Sequence, residues 1–425
     1  MLVEFKFGNF RSFKDEAYFS MEPLTQNGKN INVINTNVKK IPQLYTTAGF
    51  FGPNASGKSN ILKAFYIFRR LIKETFSYEV DKTLKTDPYL LNEEYAKKPT
   101  FFEISFLVED NLYKYGFQYG KTKIFEEYLY ITDFSSEGTA RERRIFHRKE
   151  NELLKSKGIL QRWIDDLSSN RLFLSDIINN RKCELPEIVA AYTWMMKKIH
   201  IISNSVSQSF SFDMIQKGDK AEIIEHMKNA DLGLESISVN KIELEDLLKI
   251  ADKKEATDEL KKVFQDVLMQ KLKNGDAEAI DVKTFHKTEN ETLKEFKFEE
   301  AESKGTKVFL ALTGPIIDTL RDGSVLAVDE LDASLHPMLI KYLISLFNNP
   351  EINKNNAQLI FTSHAHYLMD GEYLTRDQIW FTAKENGLSS ELYSIADFNE
   401  DRRKKSFYES YMHGIYGAVP KVKGI

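Results

Sequence analysis

Eight consecutive residues, Gly52-Pro53-Asn54-Ala55-Ser56-Gly57-Lys58-Ser59, fit the pattern G-x-x-x-x-G-K-[ST]. The run from Tyr45 to Phe51 before them reads as a buried strand, and Ile61, Leu62, Phe65, Phe68 and Leu71 after them recur at helical spacing. Strand, glycine-bearing loop and helix in that order leave few folds open. The glycines let the backbone curl with successive N–H groups pointing inward, above the positive end of the helix dipole. Such a cage suits phosphate. Lys58 is spaced to reach the β- and γ-phosphates, the Ser59 hydroxyl to ligate Mg²⁺, and Asn60 joins Gly52 to Ser59 as a nucleotide contact. The loop implies a bound nucleoside triphosphate.

Composition bounds the remainder. The chain has 425 residues, 42% of them hydrophobic, enough for a large core and two to three structural units. A net charge of -4 and a pI near 6.2 argue against a protein that coats nucleic acid by bulk charge. One cysteine, Cys183, excludes a disulfide framework and a cysteine-based zinc site. The alternating N-terminus carries no apolar leader and no stretch is long enough to span a bilayer, so a cytoplasmic protein is expected.

The first third is β-rich. Val3, Phe5 and Phe7 alternate with Glu4 and Lys6, Tyr18 to Met21 reads as a hairpin partner, and the runs 101–108, 112–119 and 125–131 form a meander. From about residue 151 the pattern turns helical, with Leu260, Val263, Phe264, Val267, Leu268 and Leu272 making an amphipathic stripe that Asn274-Gly275 ends. After residue 276 strand-like runs return. The expected division is therefore 1–150, an N-terminal lobe with the phosphate loop; 151–275, a helical lobe; and 276–425, a C-terminal lobe with the remaining motifs.

Two apolar runs in that last segment end in chemistry. Ser324 to Val328 leads into Asp329-Glu330, where one carboxylate can hold the metal while its neighbour, facing another way, serves as general base for water. Ala357 to Thr362 leads into Ser363-His364, an imidazole for the γ-phosphate, with His366 as a nearby competitor. Ser303-Lys304-Gly305-Thr306 before Val308 to Leu312 reads as a helix start, with Ser303 as cap.

In this order the motifs resemble those of an ABC-type ATPase of the soluble Rad50/RecF/SMC/OLD-like branch. Gly8 to Lys14 and His413 to Pro420 are similar to segments of stand-alone defence ATPases of the RloA and AbiL type. The resemblance implies an α/β fold: a P-loop, ABC-ATPase-like mixed sheet with an antiparallel β subdomain and a helical insertion lobe. It also implies ATP and Mg²⁺ as ligands, with Ser59 and Asp329 on the metal, Glu330 on the water and His364 on the γ-phosphate. Ser303 and Gly305 would act in trans, across a head-to-tail homodimer or higher oligomer. Lys304 departs from the transporter pattern, which has glycine there, and His336-Pro337 replaces the usual Leu-Asp. The Q-loop glutamine is unplaced, Gln118 and Gln161 being equal candidates.

The function so implied is an ATP-hydrolysing switch of a prokaryotic anti-phage system. About 60 residues follow His364, too few for a fused Toprim nuclease, so a nuclease or toxin effector is expected as a separate chain. A RecF-like DNA-repair clamp is the alternative, with Arg141-Glu142-Arg143-Arg144 and Arg402-Arg403-Lys404-Lys405 as candidate phosphate contacts.

Overall fold

The computed structural model describes residues 1–24, 31–135, 139–154, 159–203, 207–242, 279–385, 388–398 and 406–420. Its strands, in chain order, are β1 (Leu2–Gly8), β2 (Ala17–Ser20), β3 (Val33–Asn35), β4 (Gln43–Tyr45), β5 (Thr47–Phe51), β6 (Thr100–Val108), β7 (Asn111–Tyr119), β8 (Ile124–Phe134), β9 (Ala140–Lys149), β10 (Glu152–Leu153), β11 (Ile199–Ile202), β12 (Ser236–Ile242), β13 (Ala279–Lys287), β14 (Leu293–Lys297), β15 (Val325–Val328), β16 (Gln358–Thr362), β17 (Ile379–Glu385) and β18 (Ser389–Ser394). The main helices are α1 (Lys58–Glu74), α2 (Ile159–Asp165), α3 (Phe173–Asn179), α4 (Pro186–Lys197), α5 (Ser209–Met214), α6 (Lys220–Asn229), α7 (Lys304–Asp322), α8 (Pro337–Asn348) and α9 (Phe407–Met412).

The chain divides into two compact units, Met1–Ser205 with Asp318–Ile425, and Val206–Ile317. In the first, a seven-stranded antiparallel sheet has the order β10-β9-β8-β7-β6-β1-β2, which includes the expected meander and the β1–β2 hairpin. A six-stranded sheet has the order β11-β15-β16-β5-β17-β18 and is parallel throughout except for its last pair. Every residue of β5, β15 and β16 is buried, the near-continuous apolar pattern of parallel strands covered on both faces. Gln358, one of three polar residues in these strands with Thr47 and Thr362, donates to Leu2 O (3.0 Å) and Tyr45 O (3.1 Å) and accepts from Leu2 N (2.6 Å), so its amide is satisfied.

Helix α1 joins the two sheets. Its stripe Ile61, Leu62, Phe65, Phe68 and Leu71 is fully inside. Phe65 stacks on Phe5 of β1 at 3.9 Å and Phe68 on Phe117 of β7 at 5.6 Å, while Phe19 of β2 meets Phe50 of β5 edge-on at 5.1 Å. These aromatic contacts fix the phosphate loop against the antiparallel sheet.

The boundaries differ from the sequential division. Residues 159–197 pack with the first unit, because a buried ion pair anchors them there: Glu127 on β8 and Arg148 on β9, both without solvent exposure, lie 2.8 Å apart. Glu127 also accepts from the backbone N–H groups of Phe173 and Leu174 at the start of α3 (2.6 and 2.9 Å) and from the Tyr115 hydroxyl (2.9 Å). The second unit is not purely helical: beside α5, α6 and most of α7 it carries the antiparallel sheet β12-β13-β14. The expected helix over Leu260 to Leu272 lies outside the described residues.

Candidate functional site

The phosphate loop leaves β5 and enters α1 through three left-handed residues, Gly52 (φ 144°), Ala55 (φ 61°) and Gly57 (φ 115°). At Gly52 a side chain is excluded twice over, by backbone angle and because a Cβ would lie 2.3 Å from Thr382 O. The neighbours that crowd the glycines also hold the loop. Ser56 Oγ and Thr382 Oγ1 are 2.5 Å apart, and Ser390 Oγ donates to Ser56 O (2.6 Å). Ser12 adds to this hold: Asn60 donates to Ser12 Oγ (2.8 Å), and Ser390 N donates to Ser12 O (2.7 Å). The loop is therefore held by the β17–β18 hairpin together with the turn after β1.

Lys58 is 7% exposed and donates from Nζ to Gly52 O (2.7 Å) and Pro53 O (3.1 Å), which leaves one ammonium hydrogen for a phosphate oxygen. Burial pushes its pKa down to about 8, against the opposing pull of Asp332, Glu330 and Asp329.

Strand pairing brings the other motifs to the same edge. β15 and β5 flank β16, with Val328 opposite Phe361 and Thr362 opposite Phe50, so Asp329 and His364 emerge beside the loop. Asp329 is buried, and Glu330 turns away from it through a left-handed backbone (φ 53°). One hydroxyl fixes both: Thr362 Oγ1 donates to Asp329 Oδ1 (2.6 Å) and accepts from Glu330 N (2.8 Å). The Asp332 carboxylate accepts from His364 N at 3.1 and 3.2 Å.

A cleft of about 510 Å³ is lined by residues 54–60, Glu330 and His364. A second cavity of about 440 Å³ is lined by Ser59 and Asp329 together with Arg11, Lys63, Arg70 and Lys85, among others. Ser59 thus faces both, and with Asp329 it offers hydroxyl and carboxylate oxygens, the hard donors that Mg²⁺ takes alongside phosphate and water. Asp329 Oδ1 accepts the Thr362 hydroxyl, which leaves Oδ2 without that donor.

The chain matches the family model described as "AAA domain, putative AbiEii toxin, Type IV TA system" over residues 48–370, about three quarters of its length. The match runs from β5 through Lys58, Asp329 and Glu330 to beyond His364. The chain belongs to this AAA-domain family. Its fold is accordingly the mixed α/β fold of a P-loop ATPase domain. Comparison with curated proteins gives no match. No helix among the described residues is long and apolar enough to cross a membrane.

Within this AAA domain the sequence candidates separate. His364, not His366, lines the cleft: the His366 ring packs tilted against Tyr411 at 4.6 Å, and burial, then the charges of His364 and Lys58, lower its pKa. Ser303 and Gly305 open α7 in the second unit, with Ser303 Oγ accepting from Thr306 N (3.1 Å) as the expected cap. Gln118 lies on β7 in the antiparallel sheet and Gln161 donates to Asp165 (3.1 Å); neither lines the cleft or the second cavity. The residue after β11, Ser203, does line that cavity. Arg143 pairs with Asp133 (2.6 Å) and Glu187 (3.5 Å) on the partly exposed face of β8 and β9. Residues 402–405 lie outside the described residues.

Sequence reasoning missed the roles of Thr362, Thr382, Ser390 and Ser12, which act on the loop or on Asp329 and Glu330 through hydrogen bonds, and of Asp332, which holds the His364 backbone. Only the position of Thr362, immediately before Ser363-His364, carried any signal.

Proposed function

We propose that this chain is the ATP-binding and ATP-hydrolysing switch subunit of a prokaryotic anti-phage system of the abortive-infection type, controlling a separate effector protein. One observation carries the reading: the phosphate loop, Glu330 and His364 line one cleft, and the buried Asp329 shares with Ser59 of that loop the second cavity. The family's description, which names a toxin and a type IV toxin–antitoxin system, supports the defence context.

In this reading the loop N–H groups and Lys58 bind the β- and γ-phosphates, and Ser59 and Asp329 hold Mg²⁺, which supplies charge neutralisation at the phosphate oxygens. Glu330 takes the proton of the attacking water, and His364, its backbone tied to Asp332, stabilises charge on the γ-phosphate. Ser303 and Gly305 complete the cage of a second copy, so ATP favours a homodimer and hydrolysis releases it. Nucleotide state then reaches the effector as a change in assembly.

The Glu330→Gln variant tests the chemistry and the assembly together. It should bind ATP like the parent, lose turnover by about tenfold to a hundredfold as removal of a general base does, and shift to a dimer when ATP is added. Lys58→Ala should lose binding and dimer alike. Parental turnover in Glu330→Gln removes the base assignment, and light scattering that reports a monomer with ATP bound removes the switch. Recovery of the native complex with and without ATP identifies the effector as the chain whose association changes.

One observation favours a second reading, a RecF-like DNA clamp: Arg11, Lys63, Arg70 and Lys85 gather around the cavity beside Ser59. A clamp would bind duplex DNA with an affinity that falls steeply with salt, and charge reversal at Lys63 or Lys85 would flatten that slope.

A further inference from the structure

Thr362 is the last residue of β16, and its hydroxyl bonds the Asp329 carboxylate and the Glu330 backbone N–H. A hydroxyl has one hydrogen and two lone pairs. Here the hydrogen goes to Asp329 Oδ1 at 2.6 Å and a lone pair accepts the Glu330 N–H at 2.8 Å. The Thr362 carbonyl accepts from Leu331 N (3.0 Å), and two residues later His364 N donates to the Asp332 carboxylate. Residues 329–332 and 362–364 are therefore laced together by hydrogen bonds, and the Thr362 hydroxyl is the side-chain member that bonds both residue 329, at its carboxylate, and residue 330, at its backbone.

Two consequences follow from its place. The hydrogen bond occupies Asp329 Oδ1 and leaves Oδ2 without that donor, on a residue that shares a cavity with Ser59. Glu330 holds a left-handed backbone (φ 53°), a conformation that costs a non-glycine residue energy and persists only when its surroundings enforce it. The hydrogen bond from its N–H to Thr362 is one of the forces that enforce it.

We propose that Thr362 is a positioning residue that couples the metal carboxylate Asp329 to the base Glu330, so that one hydroxyl sets both the metal-facing oxygen and the direction of the base. The proposal rests on the reading of the cleft as an ATP and Mg²⁺ site. It touches neither substrate nor metal and acts through its two neighbours.

Thr362→Val keeps the branched volume in a fully buried strand and deletes the hydroxyl, while Thr362→Ser keeps the hydroxyl and deletes a methyl group. In the full chain, Mn²⁺ binding in the presence of ADP is followed by electron paramagnetic resonance, ADP affinity in excess chelator by calorimetry, and ATP turnover in parallel. Thr362→Val should weaken Mn²⁺ binding at least about fivefold and reduce turnover at saturating metal by about tenfold or more, with ADP affinity in chelator unchanged. Thr362→Ser should recover both to within about threefold of the parent.

Valine with parental Mn²⁺ affinity overturns the proposal, as does serine no better than valine, which would make the methyl packing the important feature. If ADP affinity in chelator falls together with metal affinity, Thr362 supports the fold of the loop and not the carboxylates, and the proposal fails on that ground. A parent protein that binds neither ADP nor Mn²⁺ sinks the underlying reading instead, and Thr362 with it.

Discussion

Lys58 makes nucleotide binding depend on pH in a direction that the structure fixes. In the free protein burial holds its pKa at about 8, below the ordinary 10.5. Phosphate oxygens within a few ångströms favour the charged form and return the ammonium to at least its ordinary value. The complex therefore holds more protons than the free protein across the window from about 8 to 10.5, and affinity falls as pH rises through it. At about pH 8.5 roughly three quarters of free molecules carry a neutral Lys58, so each binding event should take up about 0.75 proton, against about 0.1 at pH 7. Above pH 8 the dissociation constant should rise towards tenfold per pH unit, about 1.4 kcal/mol each. The free protein responds in the opposite sense: unfolding restores the ordinary pKa, the unfolded chain binds more protons in the same window, and the contribution of Lys58 to stability rises with pH there. Calorimetry of a non-hydrolysable ATP analogue binding to the parent protein at about pH 8.5, in buffers of different ionisation enthalpy, counts the protons directly. The triphosphate is fully ionised at that pH and adds none of its own. An uptake below about 0.2 proton, or an affinity that is flat from about pH 7 to 9.5, refutes the argument that Lys58 is held down by burial and released by phosphate.

Two further outcomes test the scaffold. Gly52→Ala forces a Cβ to 2.3 Å from Thr382 O at a φ of 144°, so it should abolish measurable nucleotide binding and cost about 1–3 kcal/mol in urea unfolding; an alanine variant that binds ATP normally would show that the β17–β18 hairpin does not clamp the loop. Arg148→Ala leaves the Glu127 carboxylate buried without its cation and should cost about 3–5 kcal/mol, whereas Arg148→Met with Glu127→Leu should cost markedly less; equal losses in chemical denaturation would mean that packing, not the unpaired charge, sets the penalty.

The sequence was most legible where local pattern and chemistry coincide. The phosphate loop needs glycines at fixed spacing, a strand before it and an amphipathic helix after it, all of them short-range features, and β5 and α1 stand as the pattern requires. The apolar runs before Asp329 and His364 were readable as buried strands for the same reason, since a parallel strand covered on both faces leaves an unbroken apolar trace. Membership of β12 in a second-unit sheet was not legible: Ile237 and Val239 alternate with Ser236, Ser238 and Asn240 as in a short strand, but the partner strand β13 lies more than thirty residues further on.

What the sequence determined by itself is the identity of the phosphate-binding and acidic groups, because each is written into a contiguous motif. Only the tertiary structure decided how they are held. Thr382 and Ser390 lie more than three hundred residues from Ser56, and Thr362 lies 32 residues from Glu330, so hydrogen bonds between them leave no periodicity or spacing to read. The same holds for Glu127 and Arg148, which look like surface charges in a polar strand until sheet pairing turns both inward onto the start of α3. A motif is legible when its atoms are neighbours along the chain; a clamp assembled from separate strands exists only once the sheet has formed.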